Sequence, residues 1–175
     1  MFLLITILFL TQSTPMTLFD FTPDSDISNW RTVDDTVMGG RSDGNFKLND
    51  SGHGEYTGYV SLKNNGGFSS LRYRMPTLRI EGLTKVKLRV KGDGSRYQFR
   101  TKTSDYDRYS YVTYFETTGD WQEITLDLKT MKPQFRGRVL DLPDYPAEML
   151  SEVAILIGNK EEEDFRLELD WIRLE

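Results

Sequence analysis

Hydrolytic chemistry in this chain would have to start from Asp34 and Asp35, adjacent carboxylates, and from His53, the one histidine among 175 residues. His53 lies between Gly52 and Gly54 in a polar turn, and neither a Ser-His-Asp set nor a histidine metal-ligand spacing can be built around it. Neighbouring residues of a strand point to opposite faces, so Asp34 and Asp35 do not converge as two carboxyls on a glycosidic bond must. No phosphate loop or dinucleotide fingerprint occurs. The residues read as those of a non-catalytic chain without a cofactor, and a cryptic hydrolase on Asp34 or Asp35 is the weakest of three function classes.

Recognition has better material. The stretches Asp34 to Gly44 (DDTVMGGRSDG) and Asn64 to Arg72 (NNGGFSSLR) each carry paired glycines. Gly39, Gly40, Gly66 and Gly67 could offer backbone N–H groups to a ligand or partner, beside the side chains of Asp35, Arg41, Ser42, Asn64, Asn65 and Arg72. Such glycines also make tight turns and bulges, with Asn and Asp capping their own loops, and that reading is favoured for the glycines themselves. Arg136 and Arg138 flank Gly137, where forked donors suit a carboxylate or a partner's carbonyls. Pinning of the surrounding loop to acidic residues of the same domain is the preferred role for them. Tyr97, Phe99, Tyr106, Tyr109, Tyr111 and Tyr114 could stack sugar rings if they lined one concave face. Tyr109 and Tyr111 share a face and Tyr114 takes the other, so half-core, half-surface packing is the better account of the set.

Short strands must position these groups. Thr17 to Phe21 reads as a first strand. Val86, Leu88 and Val90 alternate with Lys87, Arg89 and Lys91, the period of a strand with one buried face. The turn Gly92-Asp93-Gly94-Ser95 and the alternating run Tyr97 to Thr101 complete an expected hairpin. Tyr109 to Phe115 and the run from Trp121 through Ile124, Leu126 and Leu128 are further strands. Lys129 to Tyr145 is expected to be irregular, and Ala147 to Glu152 to form one or two helical turns after Pro146. Val153 to Ile157 reads as a strand buried on both faces, and Glu161 to Asp164 as an acidic, solvated turn before the closing strand from Phe165 to Leu174. Many short strands, Gly turns and almost no helix predict an all-β protein, an antiparallel β-sandwich.

Composition narrows the partners. The chain has 22 Lys and Arg against 27 Asp and Glu, a formal net charge of -5, so it has no general attraction to nucleic acid, which is excluded as a partner class. With no cysteine there is no disulfide, thiolate metal site or cysteine nucleophile. Phe2 to Leu10 is an apolar run too short to span a bilayer. It reads either as a secretory signal, the favoured reading, or as an upstream extension, with the working domain running from residue 17 to 175 after a leader of residues 1 to 16. The first reading places the protein outside the cytoplasm, exported or periplasmic; the second leaves it cytoplasmic.

The order of these fragments carries a resemblance. Trp30, DDTVMGGRSDG, a strand ending Val60-Ser61-Leu62, NNGGFSSLR, Trp121-Gln122, Phe135-Arg136-Gly137-Arg138 and the run Phe165 to Ile172 together resemble the complex I intermediate-associated protein family, across nearly all of Leu18 to Leu174. In mitochondria the members of that family are assembly factors for respiratory NADH:ubiquinone oxidoreductase. The resemblance implies a galactose-binding-like jelly roll similar to carbohydrate-binding modules, and no catalytic residues. It also implies a protein partner, such as a membrane-associated complex under assembly, with a carbohydrate ligand as the alternative. The binding candidates at its motif positions are Asp35, Met38, Gly39, Gly40, Arg41, Ser42, Asn64, Asn65, Gly66, Gly67, Arg72, Arg136, Gly137 and Arg138. The similarity to carbohydrate-binding jelly rolls also raises a structural calcium, with Asp170 as a weak candidate ligand; calcium needs several oxygens, and no convincing set accompanies it.

Overall fold

A computed structural model describes residues 14–175; the apolar run Phe2 to Leu10 lies outside the described residues. Thirteen strands follow one another: β1 (Met16–Asp20), β2 (Trp30–Asp34), β3 (Asp43–Leu48), β4 (Gly54–Val60), β5 (Ser69–Arg79), β6 (Lys85–Lys91), β7 (Arg96–Lys102), β8 (Ser110–Glu116), β9 (Trp121–Asp127), β10 (Lys132–Phe135), β11 (Arg138–Val139), β12 (Met149–Ile157) and β13 (Glu163–Leu174). They form two antiparallel sheets. One has the order β3-β4-β13-β6-β9, with β1 also paired to β13, and the other β11-β10-β8-β7-β12-β5-β2. The expected antiparallel β-sandwich is therefore what the chain forms, with the first strand one residue earlier than predicted.

Alternation decides which side chains fill the space between the sheets. Val86, Leu88 and Val90 of β6 are buried while Lys85 is exposed and the other three polar residues are half-buried. Tyr97, Phe99 and Thr101 of β7 are buried in the same way, leaving Arg96, Gln98, Arg100 and Lys102 on the outer face. Each large apolar side chain taken fully out of water stabilises the fold by about 1.5–3 kcal/mol. At one end of the sandwich Trp30 stacks on Tyr73 with ring centroids 4.7 Å apart, and Phe19, Phe21 and Phe46 close around the indole.

Three expectations are corrected. β6 and β7 are not a hairpin: β6 pairs with β13 and β9, and β7 pairs with β12 and β8 in the opposite sheet. The intervening turn crosses the edge of the sandwich and is tied to Thr117, whose hydroxyl accepts from Gly94 N–H and donates to the Ser95 carbonyl. Alternation shows that both strands bury one face but not which sheet each joins. Second, Lys129 to Tyr145 contains the β10–β11 hairpin, in which Gln134 faces Val139 and Phe135 faces Arg138 across the two-residue turn Arg136-Gly137. Both turn residues have positive φ, 48° and 75°, the conformation that tight hairpin turns require. Third, Ala147 to Glu152 is not helical: Ala147 sits at φ 54° and Met149 already begins β12, whose pairing with β5 shifts register between Leu150 and Glu152.

Val153 to Ile157 does form a buried strand. It lies inside its sheet, between β7 and β5, with Val153, Ile155 and Ile157 in the core. Ala154 and Leu156 face the other way and are also buried.

Candidate functional site

Asp35 joins the two glycine stretches. It opens a short 3-10 turn (Asp35–Met38) at the end of β2, and its side chain is fully buried. One carboxylate oxygen accepts from Ser42 N–H at 3.0 Å; the other accepts from Ser42 Oγ at 2.5 Å, Gly67 N–H at 2.6 Å and Phe68 N–H at 3.2 Å. Burial pushes this carboxyl up, but the Ser42 hydroxyl and the three backbone donors together outweigh it and hold it below its ordinary 3.8. The glycines are there to admit it. A Cβ on Gly40 would lie 2.0 Å from Asp35 Oδ1, and one on Gly66 2.5 Å from Oδ2. Asn64 Nδ2 adds a second tie by donating to the Gly39 carbonyl at 3.1 Å. Asp34 completes the clamp, accepting from Gly44 N–H and from Ser69 Oγ, which in turn accepts from the core Tyr56 hydroxyl. Asp34 and Asp35 thus both hold the chain's own donors.

The loop fixed by Asp35 forms one wall of a groove of about 670 Å³ on the outer face of the seven-stranded sheet. Asn65, Gly67 and Phe68 line it at the β5 side, and Phe135, Arg136 and Gly137 of the hairpin line it at the β10 side. Its floor comes from the outward residues of the central strands, including Leu156 of β12, Gln98 of β7 and Tyr114 of β8. Cations dominate the lining: Arg96, Arg100 and Lys102 along β7, Arg72 from β5, Arg108 just before β8, Arg136 at the hairpin tip and Lys160 just after β12. Of these, only Arg72 faces a carboxylate within 4 Å among the described residues, at 3.9 Å from Glu152, a buried residue that Arg74 also contacts. Arg72 Nε is buried without a hydrogen-bond partner. Arg100 reaches only the Gln98 amide, and burial, followed by the charge of Arg72, pushes its guanidinium below the ordinary value.

The sequence candidates therefore separate. Asn65, Gly67, Arg72, Arg136 and Gly137 line the groove; Asp35, Gly39, Gly40, Ser42, Asn64 and Gly66 belong to the clamp that shapes its wall. Arg41 and Arg138 are exposed and stand outside the groove, and the side chain of Met38 lies outside the described residues. Arg136 and Arg138 make no ion pair among the described residues, so the expected pinning to acidic side chains is not found; Arg136 instead lies over the Phe135 ring. Of the aromatic series, Tyr97, Phe99 and Tyr111 are core, Tyr106 is 94% exposed, and Tyr109 and Tyr114 line the groove. The expectation that Tyr109 and Tyr114 take different sides fails because Tyr109 precedes β8, where strand alternation no longer applies. Asp170 pairs with Arg89 and approaches His53, and no cluster of three or more His, Asp or Glu able to hold a metal occurs among the described residues.

Sequence reading missed the cations of β7. Their signal was present: Arg96, Arg100 and Lys102 sit at alternate positions, on the face opposite Tyr97, Phe99 and Thr101. Alternation marks them as the outer face of a strand, and the Asp35 loop and the β10–β11 hairpin wall that face into a groove.

Solved structures share this architecture at low identity. The chain is similar to a family 11 carbohydrate-binding module of the cellulosomal cellulase Lic26A-Cel5E of Clostridium thermocellum (TM-score 0.66, 14% identity, 92% of this chain and 94% of that one). It is also similar to a family 11 module from Clostridium thermocellum in complex with a β-1,3-1,4-mixed-linked tetrasaccharide (TM-score 0.63, 15% identity, 91% and 94%). An agarase matches over 93% of this chain and 25% of its own length (TM-score 0.61, 12% identity). At these identities the likeness establishes the jelly-roll fold. The family model for Complex I intermediate-associated protein 30 (CIA30) matches residues 19–169, and with the glycine clamp and the walled sheet face in that span, the chain belongs to the CIA30 family.

Proposed function

We propose that this protein is a non-catalytic binding domain of the assembly-factor or chaperone type, and that the groove on the seven-stranded sheet holds a segment of a protein partner, such as a subunit of a membrane-associated complex. The observation that carries the reading is the state of the groove aromatics. Arg96 lies 5.0 Å from the Tyr114 ring centroid and Arg136 5.4 Å from that of Phe135, so guanidinium groups already cover these two faces. A neutral sugar ring stacks on a bare aromatic face, whereas rings and arginines intermixed are typical anchors of protein interfaces. Family membership supports the same reading.

A carbohydrate ligand is the second reading, favoured by Tyr109, a groove ring that no guanidinium covers, and by the mixed-linked tetrasaccharide bound to one structural neighbour. The test is capture by a tagged copy from its native cell, run in parallel with Tyr114→Ala and Arg136→Asn variants. A partner protein retained by the parent and lost by both folded variants is the expected result. Retention on a polysaccharide with no groove-dependent protein partner would move the assignment to the carbohydrate module. The same preparation reports the mature N-terminus, and so tests the proposed division into a leader of residues 1–16 and a domain of residues 17–175.

A further inference from the structure

We infer that the segment held in the groove is an extended, carboxylate-rich stretch of protein. The inference rests on the partner-binding reading and adds the chemistry of the partner. A chain of formal charge -5 places seven of its 22 Lys and Arg around one groove and none of its 27 Asp and Glu. Glu152 of β12 stands opposite Lys102 and pairs with Arg72 and Arg74, and Glu116 stands opposite Arg96, but no carboxylate comes within 4 Å of Arg96, Arg100, Lys102, Arg108, Arg136 or Lys160 among the described residues. Clustered cations repel one another, and desolvating them without counter-charges is unfavourable, so such a cluster is best explained by an anion that arrives from outside. Arg72 Nε, buried and unpartnered, and Arg100, which has only an amide oxygen, are donors waiting for acceptors.

Charge, more than the count of donors, favours an anion over a neutral polyol. Sugar hydroxyls offer and require both donors and acceptors, while guanidinium and ammonium groups only donate. Gln98 Oε1 is already engaged by Arg100, and the other side-chain acceptors of the lining, among them Asn65, Ser110, Gln134 and Asn159, are neutral and stand among seven cations. Carboxylates match forked guanidinium donors in both charge and geometry. The spacing suits a protein chain. Arg96, Gln98, Arg100 and Lys102 stand at alternate positions of β7, so their side chains project from one face about 7 Å apart, the repeat at which an extended peptide presents alternate side chains of its own. β7 lies inside its sheet, bonded to β8 and β12. The segment is thus read by side chains and not by strand addition at an edge.

The test is titration of the whole domain with a synthetic peptide of alternating Glu and Ser, against the same peptide with Gln for Glu, with polygalacturonate, and with a neutral mixed-linked glucan. The Glu peptide is expected to bind at least about tenfold more tightly than its Gln counterpart and to weaken as salt rises. Arg100→Gln and Arg136→Asn are each expected to lose roughly tenfold, while exposed Lys129→Gln, remote from the groove, leaves binding unchanged. Should Arg100→Gln fail to fold, Arg136→Asn still decides, because Arg136 is exposed and Asn tolerates its positive φ. Equal binding of the Glu and Gln peptides, or Glu-peptide binding that ignores salt and both variants, would overturn the acidic segment and leave a protein partner standing. Binding of either polysaccharide, with no peptide bound, would overturn both.

Discussion

At Gly40 an added Cβ would lie 2.0 Å from Asp35 Oδ1, whereas at Gly39 it would meet nothing within 4 Å and suffer only from a φ of +89°. Two adjacent glycines thus do different work, and alanine substitution separates them. Gly39→Ala should cost about 1–2 kcal/mol, the strain of a left-handed residue with a Cβ. Gly40→Ala should cost roughly 3 kcal/mol or more, because the buried carboxylate must leave its donors. Equilibrium denaturation of the two variants checks the order. Asp35 itself predicts a pH signature. Its folded value lies below the ordinary 3.8 of the unfolded chain, so its contribution is complete above that ordinary value and is lost below it, as pH falls through the lower folded value. Asp35→Asn should therefore be roughly 2–3 kcal/mol less stable at neutral pH, with the deficit narrowing only as pH falls below about 4. That glycines marked tight backbone was legible in the sequence. The carboxylate they make room for was not, because its donors Gly67 and Phe68 lie 32 and 33 residues away and only the folded sheets bring them to it.

At the scale of elements, the cleanly alternating strands were readable and strand partnership was not. Periodicity in Lys85 to Lys91 and in Arg96 to Lys102 reports a buried face, and both runs have one, yet they enter different sheets. The β10–β11 hairpin escaped notice because β11 is two residues long and Pro133 interrupts β10, so no alternation develops. Its turn was nonetheless encoded, since Gly137 occupies a φ of 75° and Arg136 one of 48°. Gly137→Ala should destabilise the hairpin by about 1 kcal/mol and weaken groove binding together with it, whereas Arg136→Asn should keep the hairpin and remove only the cation. Thermal unfolding combined with peptide titration distinguishes the two effects: the first variant moves both readouts, the second only affinity.

Across the whole molecule, net charge misdirects. The chain is acidic in sum, but seven of its 22 cations line one groove with no carboxylate among the lining residues, so a composition average hides a groove of the opposite sign. The antiparallel β-sandwich was legible from strand length and turn chemistry, and the family, with the jelly roll it implies, from the order of its glycine and arginine fragments. The groove was not, since Phe68, Arg100, Tyr114 and Arg136 are neighbours only once β5, β7, β8 and the hairpin lie in one sheet. The claim that this face is where the partner sits is tested most directly by site-specific photo-cross-linking in the native cell. A benzoylphenylalanine would be placed either at Tyr114 in the groove or at Tyr59, an exposed tyrosine of β4 in the opposite sheet. The groove assignment predicts a discrete protein adduct from position 114 that is competed by the Glu-rich peptide, with none from position 59. An adduct from position 59 alone would place the partner on the other sheet and contradict it.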